Sequence, residues 1–244
     1  MLSQYLLFHF GRPAEVLPFP DGPTSGLDYP ARYTRECVAD HPGPWGRALD
    51  LGCAVGGTSF ELARHFDEVV GIDLSRRFIT AARALRRRGV LPYRRVEAGV
   101  LTSDAVARVP AGIERSRVRF AVGDATALPR GLGTFDLVLL ANLLDRLADP
   151  ARCLRQLRHL VRPGGRVAIS SPFTWLTEYT ARSKWLGGVR RGGRAVHVHE
   201  SLGRILGPHF RRVDRFDVPF TIRDHARKFQ WAVADATVWV RRRS

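Results

Sequence analysis

The amino-acid sequence predicts an α/β fold built on a doubly wound, mostly parallel sheet, and three observations carry that prediction. From Arg47 onward, short apolar runs alternate with helical stretches, the rhythm of βαβ units. Acidic residues and glycine turns fall repeatedly at the ends of those runs, at Asp50–Gly57, Asp73 and Gly123-Asp124. The last two apolar runs have no crossover between them, which suits an antiparallel hairpin at a sheet edge.

In chain order, the first strand is Arg47–Leu51, followed by a glycine turn and a helix from about Thr58 to His65. The second strand is Glu68–Ile72 and ends at Asp73; a helix over Arg76–Arg88 follows, with Ser75 placed to cap it. Residues 89–116 break the rhythm as an insertion, with an irregular hairpin expected around Tyr93–Leu101. Val118–Val122 and Phe135–Ala141 are the third and fourth strands. Asp149-Pro150 opens a helix to about Val161, because proline is tolerated in a first helical turn. Pro163-Gly164-Gly165 is a turn before the fifth strand, Arg166–Ser170. Ser201–Leu206 reads as a helix, and Phe210–Val218 and Thr237–Arg241 as the final strands. Ahead of all this, residues 1–46 form an N-terminal arm whose Pro13–Pro30 stretch is rich in proline and glycine and reads as an ordered loop. Seven strands with this ending resemble the Rossmann-like class I methyltransferase fold, for which the order 3-2-1-4-5-7-6 is expected, with strand 7 antiparallel. The whole of residues 1–244 is then one domain.

Composition narrows the class. With 45% hydrophobic and 25% charged residues, the 244-residue chain is ordinary for a globular protein with a buried core. No apolar run approaches the ~18 residues of a membrane span, and the start has no basic residue ahead of its apolar stretch, so a cytoplasmic protein is expected. Cys37, Cys53 and Cys153 are odd in number and widely spaced, which fits reduced thiols and neither a disulfide framework nor a zinc site. The net charge of +16 comes almost wholly from scattered arginines, lysine occurring only at Lys184 and Lys228. A solvated basic surface is favoured over a nucleic-acid footprint.

The chemistry is expected where ligands sit in open parallel sheets, at the carboxyl ends of the strands near the point where strand order reverses. The turn Asp50-Leu51-Gly52-Cys53-Ala54-Val55-Gly56 has glycines spaced as G-x-x-x-G, unlike the G-x-G-x-x-G of a dinucleotide cradle. An acid before such a turn suits a ligand with an ammonium group, such as the methionine part of S-adenosylmethionine. Asp73 lies at about the ~20-residue offset of a ribose-binding acid, with Leu74 beside it. Asp124 and the Ala125 amide suit the adenine amino group and a ring nitrogen. Asn142, after the fourth strand, stands where cofactor and substrate meet, and Asp145 is close by. The cofactor residues expected are therefore Asp50, Gly52, Cys53, Gly56, Asp73, Leu74, Asp124, Ala125 and Asn142. The N/D-P-P-Y/F and Pro-Cys motifs of nucleic-acid methylation are absent, which favours a small-molecule acceptor. His197-Val198-His199-Glu200 lacks further ligand spacing, and no metal is expected.

Several blocks resemble one family closely: L-D-L-G-C-A-V-G with S-F-E-L-A-R, A-N-L-L-D-R-L, S-P-F-T-W-L, A-R-K-F-Q-W-A-V-A-D-A-T-V-W, and the opening Tyr5-Leu6-Leu7-Phe8-His9-Phe10-Gly11. Together they resemble the 4-mercaptohistidine N1-methyltransferases of ovothiol biosynthesis, over nearly the whole chain. The resemblance implies methylation of the π ring nitrogen of 5-thiohistidine to give ovothiol A. It also implies a separate sulfur-transfer enzyme to make the thiol, and a leading helix shortened at its start. The candidate substrate contacts lie in these blocks: Tyr5 and His9, Trp175, Glu178 and Tyr179, and Lys228, Gln230 and Trp231. Among these, His9 is a candidate proton acceptor or orienting group, with Asn142 and Asp145 as further catalytic candidates. Two rival readings stand beside this one: a methyltransferase of another small molecule, and a non-catalytic basic nucleic-acid-binding protein on the same scaffold.

Overall fold

The structure is a computed structural model that describes residues 1–39, 45–129 and 131–243; positions 40–44 of the N-terminal arm lie outside the described residues. Strands β1 (Arg47–Leu51), β2 (Glu68–Asp73), β5 (Val118–Val122), β6 (Phe135–Ala141) and β7 (Val161–Ser171) pair in parallel, and β10 (Phe210–His225) and β11 (Lys228–Arg241) close one edge. The sheet order is β5-β2-β1-β6-β7-β11-β10, with β11 antiparallel to β7. Counted within the sheet alone this is 3-2-1-4-5-7-6, the order expected from the sequence.

Strand alternation sends neighbouring side chains to opposite faces. On β6, Leu137 and Leu139 enter one core and Val138 and Leu140 the other. The first face carries α1 (Leu2–Phe10), α3 (Tyr29–Val38), α4 (Gly57–Leu62) and α5 (Arg76–Arg88). The second carries α6 (Pro150–Leu160) and α7 (Val198–Leu206). The α5 helix shows why these residues fold this way. Phe78, Ile79, Ala82 and Leu85 recur on one buried stripe, Ser75 Oγ accepts from Phe78 N at 3.3 Å, and Gly89 takes the left-handed conformation just past the end. In α6, Asp149 caps through Arg152 N at 2.9 Å and Pro150 occupies the first turn. No helix among the described residues is long and apolar enough to cross a membrane, and the three cysteines are buried and unpaired.

The structure corrects four expectations. The arm is not a plain loop: α2 (Pro13–Val16), a 3-10 turn at Thr24–Gly26 and α3, which starts at Tyr29, fall in or at the end of the Pro13–Pro30 stretch. The insertion is a regular two-stranded sheet, β3 (Val90–Ala98) with β4 (Leu101–Arg108), twice the length of the irregular hairpin expected. Helix α4 ends at Leu62, three residues before His65. The tail strands run to 16 and 14 residues. Their inner halves were hidden by charged residues and by Pro219, which an edge strand tolerates because its outer N–H needs no partner. A short hairpin, β8 (Val189–Arg191) with β9 (Arg194–Val196), was not anticipated.

The last β11–β7 pair is Asp235 with Ser171. Residues 228–234 of β11 and their partners on β10 therefore run past the carboxyl edge of the parallel strands. This overhang meets α1, where Gln4 Nε2 donates to Asp224 Oδ1 at 2.6 Å, and the insertion, where Arg223 pairs with Glu97. Three segments distant in sequence thus wall one end of the sheet.

Candidate active site

At that end, β1 runs into a turn in which Gly52, Ala54 and Gly56 all have positive φ, at +74°, +48° and +92°. Glycine is required at two of these for space as well as conformation. A Cβ on Gly52 would lie 2.6 Å from Leu143 Cδ1, and one on Gly56 2.5 Å from Phe120 Cζ. The amides of Gly52 and Cys53 both donate to the carbonyl of Ile72, at 2.8 and 3.1 Å, which locks the turn to the tip of β2.

Carboxylates gather round it. Asp50 is fully buried; its Oδ2 accepts from Ser59 Oγ at 2.6 Å, and its Oδ1 has no partner. Burial pushes its pKa up to about 7, against the Ser59 hydrogen bond and with help from the charge of Asp73. Asp73 accepts from Ala54 N at 2.9 Å and Ser75 N at 2.8 Å, and burial raises its carboxyl above the ordinary range. Because Asp73 pairs with Val122, Asp124 stands just beyond the neighbouring strand tip. Asp124 Oδ1 accepts from both N and Oγ1 of Thr126, at 2.7 and 2.8 Å. Ala125 is buried beside it and Leu74 is open to solvent. The Cys53 thiol is buried, donates to Ala54 O at 3.8 Å, and titrates well above its usual range.

A raised carboxyl pKa favours the folded state at low pH; that contribution is full below the ordinary value of about 3.8 and is lost as pH rises through about 7. The ligand-free chain is therefore expected to lose stability relative to its Asp50→Asn variant between pH 4 and 8. Thermal melts of the two proteins across that range check this, and parallel curves would refute it.

A second group sits at the tip of β6. Asn142 adopts φ +51° and donates its amide to Ser170 O at 2.9 Å; Ser170 Oγ in turn meets Asn142 Oδ1 at 3.4 Å and Tyr29 Oη at 2.7 Å. Asp145 is 1% exposed, takes a hydrogen bond from Ser171 Oγ at 2.9 Å and pairs with Arg146 Nη1 at 3.1 Å. Arg146 also donates to Thr174 O at 3.0 Å and lies 4.9 Å over the ring of Tyr179. Tyr5, 4.9 Å from Phe78, lies in the field of Arg146, Asp73 and Asp145. Burial raises its pKa.

The remaining predicted residues border these two groups or lie on the tail hairpin. His9 Nδ1 accepts from Gly57 N at 2.9 Å, and burial drops its pKa to about 3. Its expected role as a free proton acceptor is corrected at that nitrogen: the neutral ring fastens α1 to the glycine turn. His9→Ala, which strands the Gly57 amide, is expected to cost roughly 1–3 kcal/mol of stability, read by chemical denaturation. Trp175 stacks 6.2 Å from Trp185 against the α6–α7 core, next in sequence to Thr174, whose carbonyl Arg146 binds. Glu178 is exposed next to Tyr179. Lys228 Nζ and Gln230 Nε2 both bind Asp224, at 3.1 and 2.7 Å, so the charge of Lys228 is already matched. Trp231, half exposed, is on the overhang. Sequence reasoning missed Arg146, Ser59 and the Ser170-Ser171 pair. Two hydroxyls ending the fifth strand were the legible signal for the last.

Residues 49–167, nearly half of the chain, match the family described as methyltransferase domain. The chain is 30% identical to norajmaline N-methyltransferase of Rauvolfia serpentina over 50% of its own length and 35% of that protein. It is 30% identical to phosphoethanolamine N-methyltransferase 3 of Arabidopsis thaliana over 67% of itself and 28% of that protein. The chain spans about a third of the length of the first curated relatives it matches. Among solved structures, the N-methyltransferase NodS of Bradyrhizobium japonicum in complex with S-adenosyl-L-homocysteine aligns with a TM-score of 0.55 at 17% identity, covering 98% of each chain. The fold is the Rossmann-like α/β fold of the S-adenosylmethionine-dependent methyltransferases, and the glycine turn with its strand-tip carboxylates lies at the carboxyl edge of its parallel strands.

Proposed function

We propose that this chain is an S-adenosylmethionine-dependent N-methyltransferase of a small molecule, and that its acceptor is 5-thiohistidine, methylated on the π ring nitrogen to give ovothiol A. A separate sulfur-transfer enzyme would supply that acceptor. The observation that carries the reading is the Asp145–Arg146 pair at the tip of β6, with Arg146 over the ring of Tyr179 and Tyr5 in the field of Arg146, Asp73 and Asp145. It puts a cation and a carboxylate together where a free amino acid needs one for each of its charged groups. The names of the plant relatives, N-methyltransferases, support nitrogen as the atom methylated.

The residues present fit the cofactor. Asp50 Oδ1 is a buried acceptor without a partner, suited to an ammonium group, and Asp73 retains lone pairs for ribose hydroxyls after accepting two backbone amides. Asp124 and Ala125 would hold adenine. When bound, the cofactor supplies an electrophilic methyl group on a sulfonium. The chain's own work is placement. Arg146, with Nη1 held by Asp145 and Thr174, offers its remaining N–H groups to the acceptor carboxylate. Asp145, braced by Ser171, offers charge to the acceptor ammonium. Tyr5 and Tyr179 wall the ring so that one nitrogen faces the methyl and the thiolate does not. An imidazole nitrogen already carries the attacking lone pair, so the neutral, hydrogen-bonded His9 is not needed as a base.

Incubation with 5-thiohistidine and methyl-labelled cofactor is expected to give the π-N-methyl product. No product, or a product methylated on sulfur, overturns the acceptor assignment. Labelling of another small amine instead would keep the transferase reading alone.

A further inference from the structure

On the second face of the sheet, α6 and α7 border a cavity of about 600 Å³ that Ser183–Leu186 and Arg191 also line. That volume is in the range of small-molecule sites. Its floor is apolar, with Leu154, Leu186, Ile205 and Phe210, and Trp185 forms one wall. The Trp185 ring is fixed in place by its Nε1 bond to Thr180 O at 2.8 Å and by stacking on Trp175. The rim is cationic: Arg155, Arg158, Lys184, Arg191 and Arg204 stand against a single carboxylate, Asp149.

Lys184 pairs with Asp149 at 3.2 Å. Arg155 shares the field of the same carboxylate, and the other three arginines meet neutral groups. Among the described residues, Arg191 donates to the carbonyls of Ser183 and Trp185, Arg204 to the hydroxyl of Ser201, and Arg158 meets the rings of His159 and His209. Like charges crowded round one cavity repel, and low-dielectric walls strengthen the field inside it. Such a rim is complementary to adjacent phosphates, which guanidiniums bind bidentately, and the apolar floor and fixed indole suit a planar base.

We infer that this cavity is a second ligand site, for a nucleoside polyphosphate: phosphates on the Arg155, Arg158, Arg191 and Arg204 rim, base on the Trp185 and Phe210 side. The site shares no residue with the strand-tip pocket and does not depend on the acceptor proposed above.

Calorimetric titration with ATP, and separately with sodium tripolyphosphate, tests it in the full chain saturated with S-adenosyl-L-homocysteine, which blocks the first site. ATP is expected to bind at least tenfold more tightly than tripolyphosphate. The Arg155→Ala/Arg204→Ala variant is expected to lose tenfold or more in ATP affinity, and Arg87→Ala/Arg88→Ala, an equal charge change on exposed α5, less than twofold. Both variants should bind S-adenosyl-L-homocysteine as the parent does, which verifies that they fold. Equal losses in the two variants, or tripolyphosphate binding as tightly as ATP, overturn the assignment. Retention of a single-stranded oligonucleotide without ATP binding overturns it in favour of a nucleic-acid surface.

Discussion

Asp73→Ala is expected to lower affinity for S-adenosyl-L-homocysteine by about 10²- to 10³-fold. On the proposed cofactor site, two charge-assisted hydrogen bonds to the ribose hydroxyls would be lost, each contributing roughly 1.5–3 kcal/mol, and every 1.4 kcal/mol is about tenfold. The loss has a second source. Asp73 also receives the amides of Ala54 and Ser75, so its removal loosens the glycine turn and the start of α5 together. Asp73→Asn keeps the shape and one carbonyl acceptor, and should fall between the two. Calorimetry at pH 7.5 measures all three proteins. Unchanged affinity in Asp73→Ala would remove the cofactor assignment at its base.

Gly56→Ala is expected to destabilise the fold by about 2–5 kcal/mol, more than any surface change. A side chain at φ +92° carries a left-handed penalty of roughly 1–2 kcal/mol. Its Cβ would also fall 2.5 Å from Phe120 Cζ, and crowding a packed core adds roughly 1–3 kcal/mol. For a chain of this size that corresponds to a fall in Tm of roughly 5–15 °C. Pairing Gly56→Ala with Phe120→Leu should recover part of the loss if the ring is the obstacle. No change in Tm would mean that the turn does not have this conformation.

These two positions were legible in the sequence because their chemistry is local. A strand followed by acid and glycines, and a second strand ending in acid, fix backbone and carboxylate within a few residues. The alternation gave Arg76–Arg88 and Phe135–Ala141 to the residue, while the sheet order came from the resemblance to the class I methyltransferase fold. What sequence could not show was lateral: which tips touch. Arg146 reads as a neighbour of Asp145 in the chain, yet its guanidinium acts between Asp145, Thr174 and Tyr179. His9 reads as a lone polar residue in an apolar helix, and only the fold supplies Gly57 as its partner, 48 positions away. Trp175 stacks on Trp185, a partner ten positions on that its sequence block does not reveal. The long hairpin was underread because its alternation is carried by arginines and alanines as much as by large apolar side chains.

The joining of α1, the insertion and the tail hairpin bears on how the protein reaches its native state. Gln4 meets Asp224 across 220 positions, and Arg223 meets Glu97 across 126. Contacts of such separation close late, since the entropy of bringing distant segments together is met before they yield any gain. On a ribosome, β1 to β7 can condense while the tail is still being made. Ligand-binding competence should then lag behind secondary structure, arriving only when the last strands lie down and draw the first helix across the opening.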